Sequence, residues 1–264
     1  MAHDPNAPLA DIQATPDKRN IAIDRVGVRN VEYPMSLKDR TRGIQHTVGT
    51  FALTVDLPHQ FKGTHMSRFI EVLSAHRDQI GVESIPNILE ALRDRLKADT
   101  AHLDVAFTYF RMKAAPVTGK EAMMGYQCAF HASQGTQNDF VIEVHVPVTT
   151  LCPCSKEISA RGAHNQRGLV TARVRFEDMI WLEELIDMIE SCASCDLYPL
   201  LKRPDEKWVT EKAYDTPRCV EDMVREVALA FDAETRITWF EIEVENFESI
   251  HAHNAYAKLE RGKA

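Results

Sequence analysis

Ser133-Gln-Gly-Thr-Gln-Asn-Asp-Phe-Val-Ile-Glu-Val-His-Val146 decides how the chain is organised. Its first half is turn-rich. Its second half alternates, with Phe140, Ile142, Val144 and Val146 on one face. A polar breaker followed by apolar residues at period two marks a new half-buried strand. The downstream residues repeat the order of the upstream ones. Upstream, Phe51, Leu53, Val55 and Leu57 alternate within Thr47 to Leu57. Ser67 to His76 and Pro86 to Lys97 carry helical patterns. The second has an Ile88, Leu89, Leu92, Leu96 stripe, Ser84 as its cap and Pro86 in its first turn. Leu103 to Tyr109 and Met124 to Phe130 then alternate. Downstream, Val170, Ala172, Val174 and Phe176 alternate, and Asp178 to Ser191 is helical on Trp181, Leu182, Leu185, Ile186 and Ile189. A further helix opens at Thr216-Pro217 on Val220, Met223, Val224, Val227 and Phe231. Strands at Ile237 to Glu245 and roughly Ala252 to Leu259 close the chain.

Each half therefore reads strand, strand, helix, helix, strand, strand, a repeat of pattern without sequence identity. The expectation is an α+β fold of two modules, residues 21–135 and 136–264. Each would be a four-stranded antiparallel sheet with two helices on one face. Open edges in such a sheet invite closure into a barrel by oligomerisation. Residues 1–20, with Pro5, Pro8 and Pro16 among small polar residues, read as a disordered tail.

Composition narrows the function. The 264 residues carry a formal net charge of −8, so the surface as a whole attracts neither nucleic acid nor anionic membrane. No apolar run approaches the ~20 residues that span a bilayer. Met1 to Arg19 has no apolar segment of the kind a signal peptide needs. A cytoplasmic protein is expected. Its six cysteines are then free thiols, metal ligands or nucleophiles rather than a disulfide scaffold.

Two inter-strand segments concentrate the chemistry. The first is Leu151-Cys-Pro-Cys-Ser-Lys-Glu-Ile-Ser-Ala-Arg-Gly-Ala-His-Asn-Gln-Arg-Gly168. Cys152 and Cys154, His164 and the cations Lys156, Arg161 and Arg167 suit a thiolate site, since nearby positive charge favours the nucleophilic, metal-binding form of cysteine. A polar surface loop with incidental thiols is the competing reading. A long strand-free stretch inside a domain argues for function. The second is Asn246-Phe-Glu-Ser-Ile-His-Ala-His-Asn-Ala-Tyr256. Glu248 and His251, with His253 beside them, could join a thiolate around Zn²⁺, Mn²⁺ or Fe²⁺; a hairpin turn with hydrogen-bonding side chains would look the same. Cys192-Ala-Ser-Cys195 has metal-binding spacing but no second pair, and reads as structural thiols at a helix end. Lys62-Gly-Thr-His-Met-Ser-Arg68 precedes a helix whose backbone N–H groups, with Lys62, His65 and Arg68, could hold a phosphate. Glu221, early in the last helix, is either a dipole-friendly surface residue or an acceptor for two N–H donors of a flat heterocycle.

Leu-Cys-Pro-Cys-Ser-Lys-Glu-Ile-Ser, Gly-Ala-His-Asn-Gln-Arg, Lys-Gly-Thr-His-Met-Ser-Arg-Phe and Asn-Phe-Glu-Ser-Ile-His-x-His resemble the signature segments of GTP cyclohydrolase I type B, over about residues 22 to 260. The resemblance implies tandem tunnelling-fold modules assembled as a homotetramer. It implies conversion of GTP and water to formate and 7,8-dihydroneopterin triphosphate, the entry to tetrahydrofolate biosynthesis, by a metal-activated water attacking guanine C8. By the same resemblance Cys152, rather than Cys154, joins His164, Glu248 and His251 as ligands of a divalent metal (Zn, Mn or Fe). Cys152 and His164 are then catalytic. Glu221 anchors the purine, and Lys62, His65, Ser67 and Arg68 contact the triphosphate. Three rival functions stay open. They are a thiol-dependent deazapurine nitrile reductase, a cyclohydrolase forming a cyclic phosphate, and a non-catalytic zinc protein closed by Cys152, Cys154, His164 and His251.

Overall fold

The protein is described by a computed structural model, over residues 13, 15–41, 43–76 and 82–263. Nine strands and six α-helices occur among these residues: β1 (Ile23–Asp39), β2 (Gly43–Leu57), α1 (Met66–Ala75), α2 (Ile85–Leu96), β3 (Ala101–Ala114), β4 (Glu121–Gln134), β5 (Asp139–Leu151), α3 (Pro153–Ile158), β6 (Asn165–Phe176), α4 (Leu182–Cys192), β7 (Cys195–Asp196), α5 (Arg203–Asp215), α6 (Val220–Ala233), β8 (Ile237–Asn246) and β9 (Ala255–Gly262). The architecture is α+β. By internal contacts the chain forms two compact units. One holds the described residues up to Leu37, Val48–Val105 and His131–Asp139; the other holds Lys38–Thr47, Ala106–Phe130 and Phe140 onward.

In the first unit the alternating residues Phe51, Leu53 and Val55 of β2 and Leu103 and Val105 of β3 are buried, as are Phe69, Val72 and Leu73 of α1 and Ile88, Leu89 and Leu92 of α2. The α2 stripe is the one its spacing predicts, and Pro86 sits in the first turn, but Ser84 makes no side-chain cap bond. Of the tail expected over residues 1–20, residues 1–12 and 14 lie outside the described residues. Thr15 accepts the Lys62 N–H, and the Asp17 N–H donates to Gln60.

In the second unit β5, β6, β8 and β9 form consecutive antiparallel pairs. Val144, Val146 and Val148, Val170, Ala172 and Val174, and Phe240, Ile242 and Val244 share the covered face. Leu185, Ile186 and Ile189 of α4 and Met223, Val227 and Phe231 of α6 are buried with them. Each of these side chains larger than alanine contributes roughly 1.5–3 kcal/mol on burial. The rings of Phe231 and Phe240 meet edge-on, 5.6 Å apart. Residues alternating with these carry charge. Arg173 binds Glu143 at 2.5 Å, Glu243 at 2.9 Å and Glu241.

Helices α4, α5 and α6 open in one way. A carboxylate three residues in accepts the N–H of the residue before the helix: Glu184 from Trp181, Asp205 from Lys202 and Asp222 from Cys219. Three elements depart from the sequence reading. β1 carries Pro34, Gly27 and a left-handed Asn30 (φ 58°), which blur its alternation. α5 has only Asp205 and Ala213 buried, so it offers no apolar stripe. Thr216-Pro217 does not open a helix; Thr216 ends α5, proline follows, and α6 begins at Val220.

Candidate active site

Backbone register brings the two polar segments to one end of the second unit's sheet. Leu151 pairs with Asn165, so residues 152–164 bridge β5 and β6. Gly168 pairs with Asn246 and Asn246 with Ala255, so residues 247–254 bridge β8 and β9 at the same end. Gly168 has room for no side chain: a Cβ there would stand 2.6 Å from Asn246 Oδ1. The Phe247 N–H donates to the Arg167 carbonyl at 2.9 Å and seats the second loop against β6.

The first loop is not irregular throughout, because Pro153–Ile158 forms α3 with Cys152 at its N-cap. Proline suits the first helical position, where no N–H is needed. Cys152 Sγ accepts the Ser155 N–H at 3.3 Å. Ser155 Oγ donates to the Cys152 carbonyl at 3.1 Å and accepts the His164 N–H at 3.3 Å. The Cys152 N–H donates to the His164 carbonyl at 3.1 Å. Cys152 and His164, twelve positions apart in sequence, are thus tied together through Ser155 and the backbone.

His164 Nδ1 lies 3.8 Å from Glu248 Oε2. Both side chains are largely buried, 15% and 11% exposed. Glu248 Oε2 is itself buried and has no hydrogen-bond partner. On the same ring nitrogen, Gln166 Oε1 stands 3.0 Å away, and Gln166 Nε2 donates to Thr150 Oγ1 at 2.8 Å. His251 is exposed and stacks on His253, ring centroids 5.2 Å apart. Cys154 is exposed. Among the described residues no three of His, Cys, Asp and Glu stand close enough to enclose a cation. Of the four sequence-predicted ligands, the structure brings His164 and Glu248 within 3.8 Å of each other, ties Cys152 to His164 through Ser155 and the backbone, and leaves His251 on the loop surface. Sulfur, imidazole and carboxylate are nevertheless a donor set for a borderline divalent ion. An unpartnered buried carboxylate oxygen is the atom such an ion would satisfy.

Glu221 lies exposed in the first turn of α6. A hydrogen bond from the Cys219 thiol, with its own backbone N–H, holds its carboxyl below the usual range. Burial and the neighbouring carboxylates of Asp222 and Glu221 push Cys219 up to about 12, so it stays an uncharged thiol that donates a hydrogen bond. The Arg218 N–H donates to the Leu151 carbonyl at 2.9 Å. The turn into α6 is therefore stitched to the residue before Cys152. Cys192 donates to the Met188 carbonyl and Cys195 pairs across from Thr149; burial raises both thiols, as structural roles require. A cavity of about 560 Å³ opens beside the first loop, with Leu151, Ala163, Asn165, Tyr214 and the carboxylates of Glu211 and Asp215 in its lining.

In the first unit, His65 precedes α1 as its N-cap with extended backbone, and Ser67 and Arg68 occupy the first turn. Lys62 and Ser67 are exposed, His65 and Arg68 half-buried. The Arg68 N–H is used by the His65 carbonyl.

Sequence reasoning singled out neither Ser155, Gln166, Thr150 nor Arg218. Only Ser155 carried a signal, as a hydroxyl three residues beyond an N-cap.

A model of the family described as type I GTP cyclohydrolase folE2 matches residues 9–257. The GTP cyclohydrolase FolE2 of Pelobacter propionicus is 53% identical over 252 residues, covering 96% of this chain and 98% of that one. That of Magnetococcus marinus is 52% identical over 257 residues, covering 97% of each. Among solved structures, the uricase from Arthrobacter globiformis superposes with a TM-score of 0.54 at 9% identity, covering 91% of this chain and 93% of that one. A uricase from Bacillus fastidious gives 0.55 at 8%, covering 93% and 94%. At such identities the uricases speak for the fold alone, and it is the tunnelling fold.

Proposed function

The chain belongs to the type I GTP cyclohydrolase FolE2 family, and from that membership we propose how its own residues convert GTP and water to formate and 7,8-dihydroneopterin triphosphate. Cys152, His164, Glu248 and His251 hold a divalent ion, Zn²⁺, Mn²⁺ or Fe²⁺. The observation that carries this is Glu248 Oε2, a buried acceptor without a partner beside His164. Such an atom costs about 1–3 kcal/mol unless something satisfies it. His251 joins when the 247–254 loop folds inward from its exposed position. When bound, the ion supplies Lewis acidity to the two hydrolytic steps that open the guanine imidazole ring and release formate.

The chain's own groups do the rest. Glu221 accepts two N–H donors from the guanine edge, and its lowered pKa keeps it the acceptor this requires. Adenine presents no matching pair of donors and would leave that carboxylate unpaired. Lys62, His65, Ser67 and Arg68 contact the triphosphate and offset its charge locally within an acidic protein. His253, beside His251, takes or returns a proton at its ring nitrogen. The cavity next to Leu151 is of the size small-molecule sites use. Assembly is a cytoplasmic homotetramer, with each copy's sheet contributing to a shared barrel. No described helix is long and apolar enough to cross a membrane.

The deciding experiment measures formate release from GTP by metal-stripped protein given Zn²⁺, Mn²⁺ or Fe²⁺. Release restored by one or more of these ions is expected. Full activity without any ion would sink the metal reading, and metal-dependent GTP consumption without formate would point to a different product.

A further inference from the structure

We propose that Ser194 is a positioning residue for Cys152, its buried hydroxyl anchoring the end of β5 from which the thiol is presented. The inference rests on the reading of Cys152 as a site residue given above, and adds a support that this reading does not use.

β7 pairs with β5 at Val148–Asp196 and Thr149–Cys195. Continuing that register would set Ala193 opposite Leu151, but Ala193 caps the end of α4 and the ladder stops. Leu151 is buried, and a buried backbone N–H needs an acceptor. Ser194 Oγ, itself fully buried, takes the place of the missing strand and accepts this N–H at 3.1 Å. The direction is fixed, because a backbone N–H can only donate. The Leu151 carbonyl accepts the Arg218 N–H at 2.9 Å, so both backbone groups of this residue are held. The next N–H, that of Cys152, donates to the His164 carbonyl on the other side. Leu151 is thus the last doubly held residue before the thiol, and its N–H is held by one side chain from 43 residues away. The cysteines flanking Ser194 take no part in this: Cys192 donates to Met188 of its own helix and Cys195 sits in β7. Cys192-Ala-Ser-Cys195, whose thiols have ligand spacing, therefore acts through the hydroxyl between them. A reacting group displaced by about 1 Å can lose about 100-fold in rate, so the anchor before Cys152 matters to chemistry.

Two measurements test this. Residue-resolved amide exchange on metal-free protein should find the Leu151 amide protected. Ser194→Ala should speed exchange at Leu151, Cys152 and Arg218 and leave Val170 and Val244, within the sheet, unchanged. Zn²⁺ affinity, read by competition with a chromogenic chelator, and kcat for formate release should each fall about 10–100-fold in Ser194→Ala, the usual effect of losing support behind a ligand. KM for GTP should change little, because Glu221 is seated by its own helix. Cys195→Ala is the control for lost packing. It truncates an equally buried side chain one position on, and should keep Zn²⁺ affinity and kcat at a comparable loss of thermal stability. Ser194→Cys, whose sulfur is a weak acceptor, should fall between Ser194→Ala and the unsubstituted protein. An unprotected Leu151 amide in the unsubstituted protein overturns the proposal whether or not any variant folds. So does a Ser194→Ala protein that keeps its Zn²⁺ affinity and kcat, or a Cys195→Ala protein that loses them equally. If the unsubstituted protein binds none of Zn²⁺, Mn²⁺ and Fe²⁺, the reading of Cys152 as a ligand fails instead, and exchange at Leu151 and Cys152 still decides what Ser194 anchors.

Discussion

Ser155 touches both Cys152 and His164, so the side chains of Cys152 and Ser155 and the backbone of all three residues are tied together. Removing the Cys152 sulfur should be felt in chemistry more than in folding. We expect Cys152→Ala to abolish formate release while thermal unfolding moves little; an active Cys152→Ala enzyme would remove this cysteine from the mechanism. Glu221 is exposed, so Glu221→Gln should leave stability alone and weaken GTP binding by about 1.5–3 kcal/mol, the range for a hydrogen bond to a charged group. Calorimetric titration with GTP reads this, and equal affinity for both proteins would end the purine-anchor role. Gly168→Ala works the other way. Its Cβ would meet the buried Asn246 at 2.6 Å and should cost about 1–3 kcal/mol in denaturant unfolding, only partly offset by the lower backbone entropy of alanine in a strand. At this scale the sequence shows residue types and little about partners. Cys152, His164 and Glu248 are conspicuous because thiol, imidazole and carboxylate crowd two loops. Gln166 and Thr150 were invisible, because their meeting depends on strand register and not on spacing along the chain.

Among the elements, α5 shows what periodicity cannot see. A helix without an apolar stripe gives no 3.6-residue signal, and α5 is held at its start by one carboxylate. Asp205 accepts the Lys202 N–H, the Val117 and Thr118 N–H groups and the Thr118 hydroxyl. Burial pulls its pKa upward, but these donors outweigh it and hold the group at about 2. A depressed folded-state pKa means the stabilisation is whole above the unfolded value near 4 and disappears as pH falls through about 2. Asp205→Asn should thus lower the denaturant midpoint at pH 7. Its deficit relative to the unsubstituted protein should shrink between pH 4 and pH 2; a deficit that does not change with pH would assign the effect to lost packing. β5, β6 and β8 are joined sideways by Arg173, which faces Glu143, Glu241 and Glu243. Arg173→Met leaves Glu143 beside His145, and Glu241 and Glu243 beside Lys258. Breaking a buried pair costs about 3–5 kcal/mol, and since this guanidinium is 31% exposed we expect roughly 1–3, measured by urea unfolding. The strands β6 and β8 were legible because their covered positions alternate, β5 because Val144, Val146 and Val148 do, and β1 was not because proline and a left-handed asparagine interrupt it.

For the molecule as a whole, the order of strands and helices was readable because amphipathic pattern survives without knowledge of contacts. How the chain divides into units is a matter of contacts, and those are not written in spacing. We expect sedimentation equilibrium to give the mass of four chains; a stable monomer with full activity would overturn the shared-barrel proposal. The construction of the site also sets how fast it can change. One of its two loops hangs between β8 and β9, and among the described residues β9 pairs with β8 alone and is exposed over much of its length. The other loop is held between β5 and β6, both inside the sheet. Peripheral strands open locally at a small fraction of the free energy of global unfolding. One loop of the candidate site is therefore clamped and the other hinged. Backbone amides of β9 should exchange with deuterium well before those of β6, and occupancy should slow the former while leaving the latter untouched. Until a neighbouring copy covers that edge, the fraying of one outer strand would govern how long a bound ion stays.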